Sequence, residues 1–206
     1  MPSAPFTKLD AAWQRRAPLH TSTKINAYRL INRSGDGFPD LAVERYGDVL
    51  VAHAYRQGAK VPPPRAVLQA LADRVGAQAV YIKYRPRQGN VLDEGTRRSF
   101  TPIDPLIGRT VERAEALENG ARFIIRPADG LNPGLFLDMR EMREFARANA
   151  AGQTVLNCFS STCALGVAAL QRGAARLLNV DISRHYLDRG RANAELHGFA
   201  TVPTDF

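Results

Sequence analysis

The sequence predicts an α/β protein in two parts: a small α+β domain, then the opening strands and helices of a nucleoside-binding domain. Three observations carry that prediction. The stretch from Thr154 to Gly198 reads as strand, helix, strand and helix, with a helical pattern that stops at Gly173 between the runs Thr154 to Cys158 and Arg176 to Val180. A loop of small residues, Phe159-Ser160-Ser161-Thr162-Cys163-Ala164, follows the first of these strands, and the second ends on a carboxylate, Asp181. Upstream, several short strand-like runs surround a single amphipathic helix.

Taken in chain order, residues 7–24 carry a helical pattern (Leu9, Trp13, Arg16, Ala17) that Pro18 interrupts. Asn26 to Asn32 predicts a strand, followed by a loop at Ser34-Gly35-Asp36-Gly37 whose residues suit turns. Leu41 to Tyr46 and Val49 to Tyr55 predict a hairpin about Gly47-Asp48. After Pro62-Pro63-Pro64, the stripe Val67, Leu68, Leu71 and Val75 predicts a helix, and Ala79 to Tyr84 a strand. Residues 88–109 are polar and rich in turn formers, which predicts a linker or mobile loop. Thr110 to Ala116 and Ala121 to Arg126 predict a hairpin around Glu118-Asn119-Gly120, with a loop longer than two residues. Asp138 is placed to cap a helix that buries Met142, Phe145 and Ala146 and turns its arginines and glutamates outward. The expected division is an N-terminal helical segment over 1–24, a small α+β domain over 25–105 and a partial nucleoside-binding domain over 106–206.

The last region carries the chemistry. A right-handed strand–helix–strand crossover brings its first loop and the carboxylate after its second strand to one edge of a parallel sheet. There an acidic side chain can accept hydrogen bonds from both hydroxyls of a ribose. Thr162 and Asp181 are 19 residues apart, near the roughly 20 of nucleoside-binding units. The loop has no glycine before Gly166, so it lacks the G-x-G-x-x-G turn that receives a pyrophosphate, which disfavours a nicotinamide-linked enzyme. Residues such as Ser, Thr, Cys and Ala suit a ligand without phosphate, such as S-adenosylmethionine. The competing reading is an Asp181 that only caps the next helix.

Composition sets the bounds. Hydrophobic content of 45% and charged content of 23% fit an ordinary globular chain. No apolar run approaches the roughly 20 residues of a membrane span, and the N-terminal residues lack the apolar core of a signal peptide. Two cysteines, Cys158 and Cys163, argue against a disulfide framework and for a reduced, cytoplasmic setting. No residue set has zinc spacing. The net charge of +8 and a pI near 10.0 favour polyanions through counterion release. Basic clusters stand at Arg15-Arg16, at Lys83-Tyr84-Arg85-Pro86-Arg87 and at Arg97-Arg98. The middle one adds an aromatic ring able to stack on a base, and RNA is the expected partner.

Three segments carry a resemblance. Asn26 to Tyr55 (NAYRLINRSGDGFPDLAVERYGDVLVAHAY), Gly134 to Arg140 (GLFLDMR) and Val155 to Ser183 (VLNCFSSTCALGVAAL…NVDIS) together resemble the ribosomal-RNA large-subunit methyltransferase family that makes 5-methylcytosine, and its S-adenosylmethionine-dependent relatives. The resemblance implies a small α+β domain followed by the N-terminal half of a Rossmann-like class I methyltransferase domain. It implies that Asp181 holds the ribose of S-adenosylmethionine. Asn157, Phe159, Ser160 and Thr162 would shape the methionine and sulfonium pocket. Phe136, Asp138 and Arg140 would close it, with Arg140 toward the cofactor's carboxylate. The plainer alternatives are a helix cap for Asp138 and a surface pair with Glu144 for Arg140.

Two departures stand out. The family usually carries an RNA-binding PUA domain before the small domain, whereas 25 residues precede Asn26 here. The chain ends at Thr204-Asp205-Phe206, where a third strand of the catalytic domain is expected. The resemblance places the adenine-contacting acid, the substrate-base loop and any nucleophilic cysteine beyond that point, so no catalytic residue is assigned. Methylation of cytosine at C5 needs a thiolate that adds to C6, and Cys158 and Cys163 sit at the cofactor strand instead. The expectation is a methyltransferase acting on RNA, a cytosine of ribosomal RNA, in a truncated form with weak or no activity. The alternative is a non-catalytic RNA-binding accessory protein or fragment.

Overall fold

The computed structural model describes residues 4–55, 64–85 and 99–200. Contacts divide the chain into two compact units, Met1–Ala116 with Arg126–Pro133, and Leu117–Ile125 with Gly134–Phe206. The first unit therefore runs past residue 105, where the sequence suggested a division.

The first unit opens with helices α1 (Ala4–Arg15) and α2 (Ala17–His20); the break between them falls just before Pro18. Strands β1 (Ala27–Asn32), β2 (Leu41–Tyr46) and β3 (Val49–Ala54) pair antiparallel in sequence order. The β2–β3 turn is Gly47-Asp48, with φ of 64° at Gly47. A Cβ there would stand 2.4 Å from the Glu115 carbonyl oxygen, so only glycine fits. Helix α3 (Arg65–Val75) then carries the chain across to β4 (Ala79–Tyr84), which lies parallel to β3 in the register Val49↔Ala79. A short β5 (Ile107–Gly108) pairs antiparallel with β4. The expected loop over 88–109 thus contains a sheet edge at its end, and residues 88–98 lie outside the described part.

The two faces of this sheet differ because side chains alternate along each strand. One face sends Leu30, Val43, Leu50, Ala52 and Val80 into a core with Val67, Leu68 and Leu71 of α3 and Leu9 of α1. The other buries charge. Glu44 accepts from Arg29 Nη2 at 2.6 Å, from His53 Nε2 at 2.8 Å and from the Tyr46 hydroxyl at 2.9 Å. Burial alone would raise this carboxyl, but the bonds from His53 and then Arg29 hold it at about 2. Arg85 Nε donates to His53 Nδ1 at 3.1 Å. The imidazole is therefore neutral and gives its proton to Glu44, in keeping with a pKa that burial pushes down.

Strands β6 (Ala114–Glu118) and β7 (Ala121–Ile125) form a two-stranded sheet. Its connection is the dipeptide Asn119-Gly120, shorter than the sequence suggested. Both residues have positive φ, 50° and 85°, as a type I′ turn requires. The second unit continues through helix α4 (Arg140–Asn149), strand β8 (Thr154–Cys158), helix α5 (Ala164–Gln171), strand β9 (Arg176–Val180) and helix α6 (Arg184–Leu196). β8 and β9 are parallel, in the register Thr154↔Arg176 to Cys158↔Val180. Helix α5 packs against both strands and against α4, while α6 packs on β7. Among the described residues no helix is long and apolar enough to cross a membrane.

Candidate cofactor site

The parallel pairing of β8 and β9 brings both carboxyl ends to one edge. Ser160 N donates to the Val180 carbonyl at 3.1 Å. Ser161 N donates to Asp181 Oδ2 at 2.8 Å, and Ser183 N to Asp181 Oδ1 at 2.9 Å. Asp181 therefore stands against the small-residue loop and also orders the start of α6, where the Ser183 hydroxyl accepts from Tyr186 N. Each carboxylate oxygen offers two lone pairs and uses one in these bonds, which leaves acceptor capacity for two ligand hydroxyls.

The loop backbone is unusual. Phe159, Ser161 and Cys163 take φ of 55°, 47° and 56°, a left-handed conformation that costs a non-glycine residue about 1–2 kcal/mol. The loop's own N–H groups hold this shape: Ser160 N donates to the Val180 carbonyl, Ser161 N to Asp181 and Cys163 N to the Ser160 carbonyl. Surrounding ties hold the strain in place. The Thr162 hydroxyl donates to the Gly134 carbonyl, and the Thr162 carbonyl accepts from Asn193 Nδ2 at 3.0 Å. Asn193 Oδ1 in turn accepts from Ile124 N at 2.8 Å. Asn157 Nδ2 bridges the strands to Asn179 Oδ1 at 2.9 Å. Under this bridge Gly166 lets α5 approach closely, because a Cβ there would meet Asn179 Oδ1 at 2.5 Å.

Phe136, Asn157, Phe159, Ser160 and Thr162 line one cavity of about 130 Å³. That is well below the roughly 300–1,000 Å³ of sites that enclose a whole small ligand, so it suits one end of a ligand. Phe159 is 95% exposed at the rim. Asp138, Arg140 and Asp181 are not part of the lining. Cys158, Ser161 and Ala164, from the strand end and loop picked out in the sequence, join it, as do Met139, Arg143 and Leu165, which were not singled out.

Helix α4 departs from its predicted orientation. Asp138 is exposed in a 3-10 turn, Leu137–Met139, and the residue before the helix is Met139, with no side-chain cap. Met142 and Phe145 are 47% and 62% exposed, whereas Arg143 is 2% exposed. The cause is Glu118, a fully buried carboxylate at the end of β6. Arg143 grips it through Nε at 2.6 Å and Nη2 at 2.8 Å, and Arg140 Nε adds a bond at 3.2 Å. Arg140 thus pairs with Glu118 rather than Glu144, which bonds Arg147 and Asn119. Neutralising a buried charge outweighs hiding a methionine and a phenylalanine. Arg143 also donates to the Phe136 carbonyl at 2.9 Å and contributes to the cavity lining. The i, i+3 spacing of Arg140 and Arg143 was the available sequence signal. Cys163 is buried, and burial pushes its thiol up to about 11, so it is no thiolate at neutral pH.

An acidic group after the second parallel strand, a tight loop of small residues after the first and Arg143 in the lining of the neighbouring cavity make up the candidate site. Residues 28–205 match the family described as S-adenosylmethionine-dependent methyltransferase, and the chain belongs to that family. It is 32% identical over 203 residues to ribosomal RNA large subunit methyltransferase I of Aeromonas salmonicida, covering 97% of this chain and 49% of that protein. The protein of the same name from Aeromonas hydrophila matches at the same identity and coverage. Among solved structures, that of SMU.776 complexed with SAH is similar with a TM-score of 0.79 at 29% identity, over 96% of this chain and 49% of that one. The fold is accordingly the Rossmann-like one expected for the second region. The chain spans about half the length of the curated relatives it matches.

Proposed function

We propose that this chain binds S-adenosylmethionine at the β8–β9 edge and serves methyl transfer to RNA in the cytoplasm, with a cytosine of ribosomal RNA as the target. The observation that carries the reading is the contact of Asp181 with the loop at Ser161, which sets a carboxylate with spare acceptor capacity beside a strained loop of small residues. In this reading Asp181 receives the ribose hydroxyls. Asn157, Ser160 and Thr162 hold the shape of the pocket for the methionine end, and the rings of Phe136 and Phe159 shield it. Arg143 faces the cofactor's carboxylate, with Arg140 and Glu118 fixing its position; Asp138 flanks the entrance. When bound, the cofactor supplies an electrophilic methyl group. The basic charge of +8 and the ribosomal RNA named in the relatives' activity support RNA as the acceptor.

Titration calorimetry with S-adenosylmethionine tests the reading. The chain as it stands should bind, and Asp181→Ala should weaken binding about a hundredfold or more, since two hydrogen bonds to a charged group are lost. Equal affinity of the two proteins would remove Asp181 from the site, and no heat from either would remove the site altogether.

A further inference from the structure

The basic cluster at the end of β4 is not used by the cofactor site, and its central lysine is in an unusual position. Lys83 is fully buried, and its Nζ has no hydrogen-bond partner among the described residues. It cannot borrow Glu44, which already accepts from Arg29, Tyr46 and His53. Two residues on, Arg85 Nη2 donates to the Leu131 carbonyl at 3.1 Å. That contact ties down the segment Arg126–Pro133, which contains no helix or strand and carries Asp129.

We infer that Lys83 and Arg85 form a phosphate-binding site for an RNA backbone, with the segment Arg126–Pro133 as its displaceable cover. The inference rests on the RNA reading above and names the surface that would serve it. A buried ammonium without an acceptor is unfavourable, and ionic groups persist in such places when a partner of opposite charge completes them. Burial lowers the Lys83 amine to about 8, with Asp129 opposing and Arg85 adding to the shift, so it remains mostly charged at neutral pH. Asp129 supplies a compensating charge from the cover without a hydrogen bond to Nζ. A phosphate that lifts the cover gives Lys83 its missing acceptor. It also replaces the neutral Leu131 carbonyl on Arg85 with an anionic oxygen, a stronger charge-assisted bond.

The test is fluorescence anisotropy of labelled polyuridylate RNA over a series of potassium chloride concentrations, with thermal melting of each protein alongside. Lys83→Met should bind about three- to tenfold more weakly and lower the log–log salt slope by about one, as loss of one phosphate contact requires. Its melting temperature should rise, because the unpartnered charge is gone; a merely structural lysine would lower it. Asp129→Asn should bind RNA more tightly, because the cover holds Lys83 less. Unchanged affinity and slope in Lys83→Met overturn the site. If that variant does not fold, unchanged affinity in Asp129→Asn overturns it. A chain that binds no polyuridylate at any salt sinks both the RNA reading and this site, whereas binding that ignores both substitutions sinks the site alone.

Discussion

Strands β2, β3 and β4 of the first unit are buried almost throughout, whereas β8 and β9 of the second alternate between buried and exposed residues. In the first unit one sheet face meets α3 and the other closes over the Glu44 network. In the second, Leu177, Asn157 and Asn179 are buried, while Leu156, Leu178 and Val180 are 62%, 42% and 46% exposed. Parallel strands are ordinarily covered on both faces. The first unit therefore draws its stability from a complete apolar core. The second, which carries the proposed cofactor residues, depends more on particular polar ties: Glu118 with its two arginines, Asn193 with the loop, and Asp181 with Ser161.

The largest predicted effect tests that dependence. Glu118→Ala leaves Arg143 buried without its carboxylate and should cost the second unit about 3–5 kcal/mol, read as lost amide protection in β7 and α4 by hydrogen exchange. Protection in β2 and β3 should hold. Uniform loss over both units would end the contrast.

Apolar truncations sharpen it. Leu68→Ala in α3 opens a cavity in a filled core and should cost about 2–5 kcal/mol. Leu178→Ala on the exposed face of β9 should cost less than about 1 kcal/mol, because little packing is lost. Urea unfolding followed by circular dichroism compares them, and a Leu178→Ala cost equal to that of Leu68→Ala would show that this face is packed.

The same contrast explains what could be read from the residues. Wherever apolar periodicity decides the packing, as in α3 with Val67, Leu68 and Leu71 or in the β2–β3 hairpin, pattern and structure agree. Wherever a buried charge decides, pattern misleads. Met142 and Phe145 looked like the inner face of α4, but Glu118 turned Arg143 inward. The Asn119-Gly120 turn was recognisable, yet its tightness follows from two left-handed residues that spacing alone does not reveal. In the site, Asp181 and the loop were legible because they lie at fixed offsets from two strands. The burial of Arg143 at the cavity wall was not, because it depends on a carboxylate 25 residues away.

Acid titration probes the polar face of the first unit. Glu44 has an ordinary value of 4.5 and is held at about 2 in the folded chain. Its contribution is therefore present above pH 4.5 and is lost as pH falls toward 2, by about 3 kcal/mol in all. His53 is lowered as well, by burial, so its neutral form adds a loss that begins as pH drops through 6.5. Glu44→Gln should flatten the acid limb below pH 4.5 in urea midpoints measured against pH. An unchanged limb would assign acid unfolding to other carboxylates.

The smallest effect lies in the loop. Ser161 has φ of 47°, and its N–H is the group that holds Asp181. Glycine keeps that N–H and removes the left-handed penalty of about 1–2 kcal/mol, but gives back about 0.5–1 kcal/mol in chain entropy. Ser161→Gly should therefore raise stability by about 0.5–1 kcal/mol. If the strain serves to hold the loop ready for a ligand, the same change should weaken S-adenosylmethionine binding a few-fold, because the loop must then be ordered on binding. Stability and affinity moving in opposite directions would mark this loop as built for its ligand. A rise in both would reduce the three left-handed residues to a by-product of the tight connection between β8 and α5.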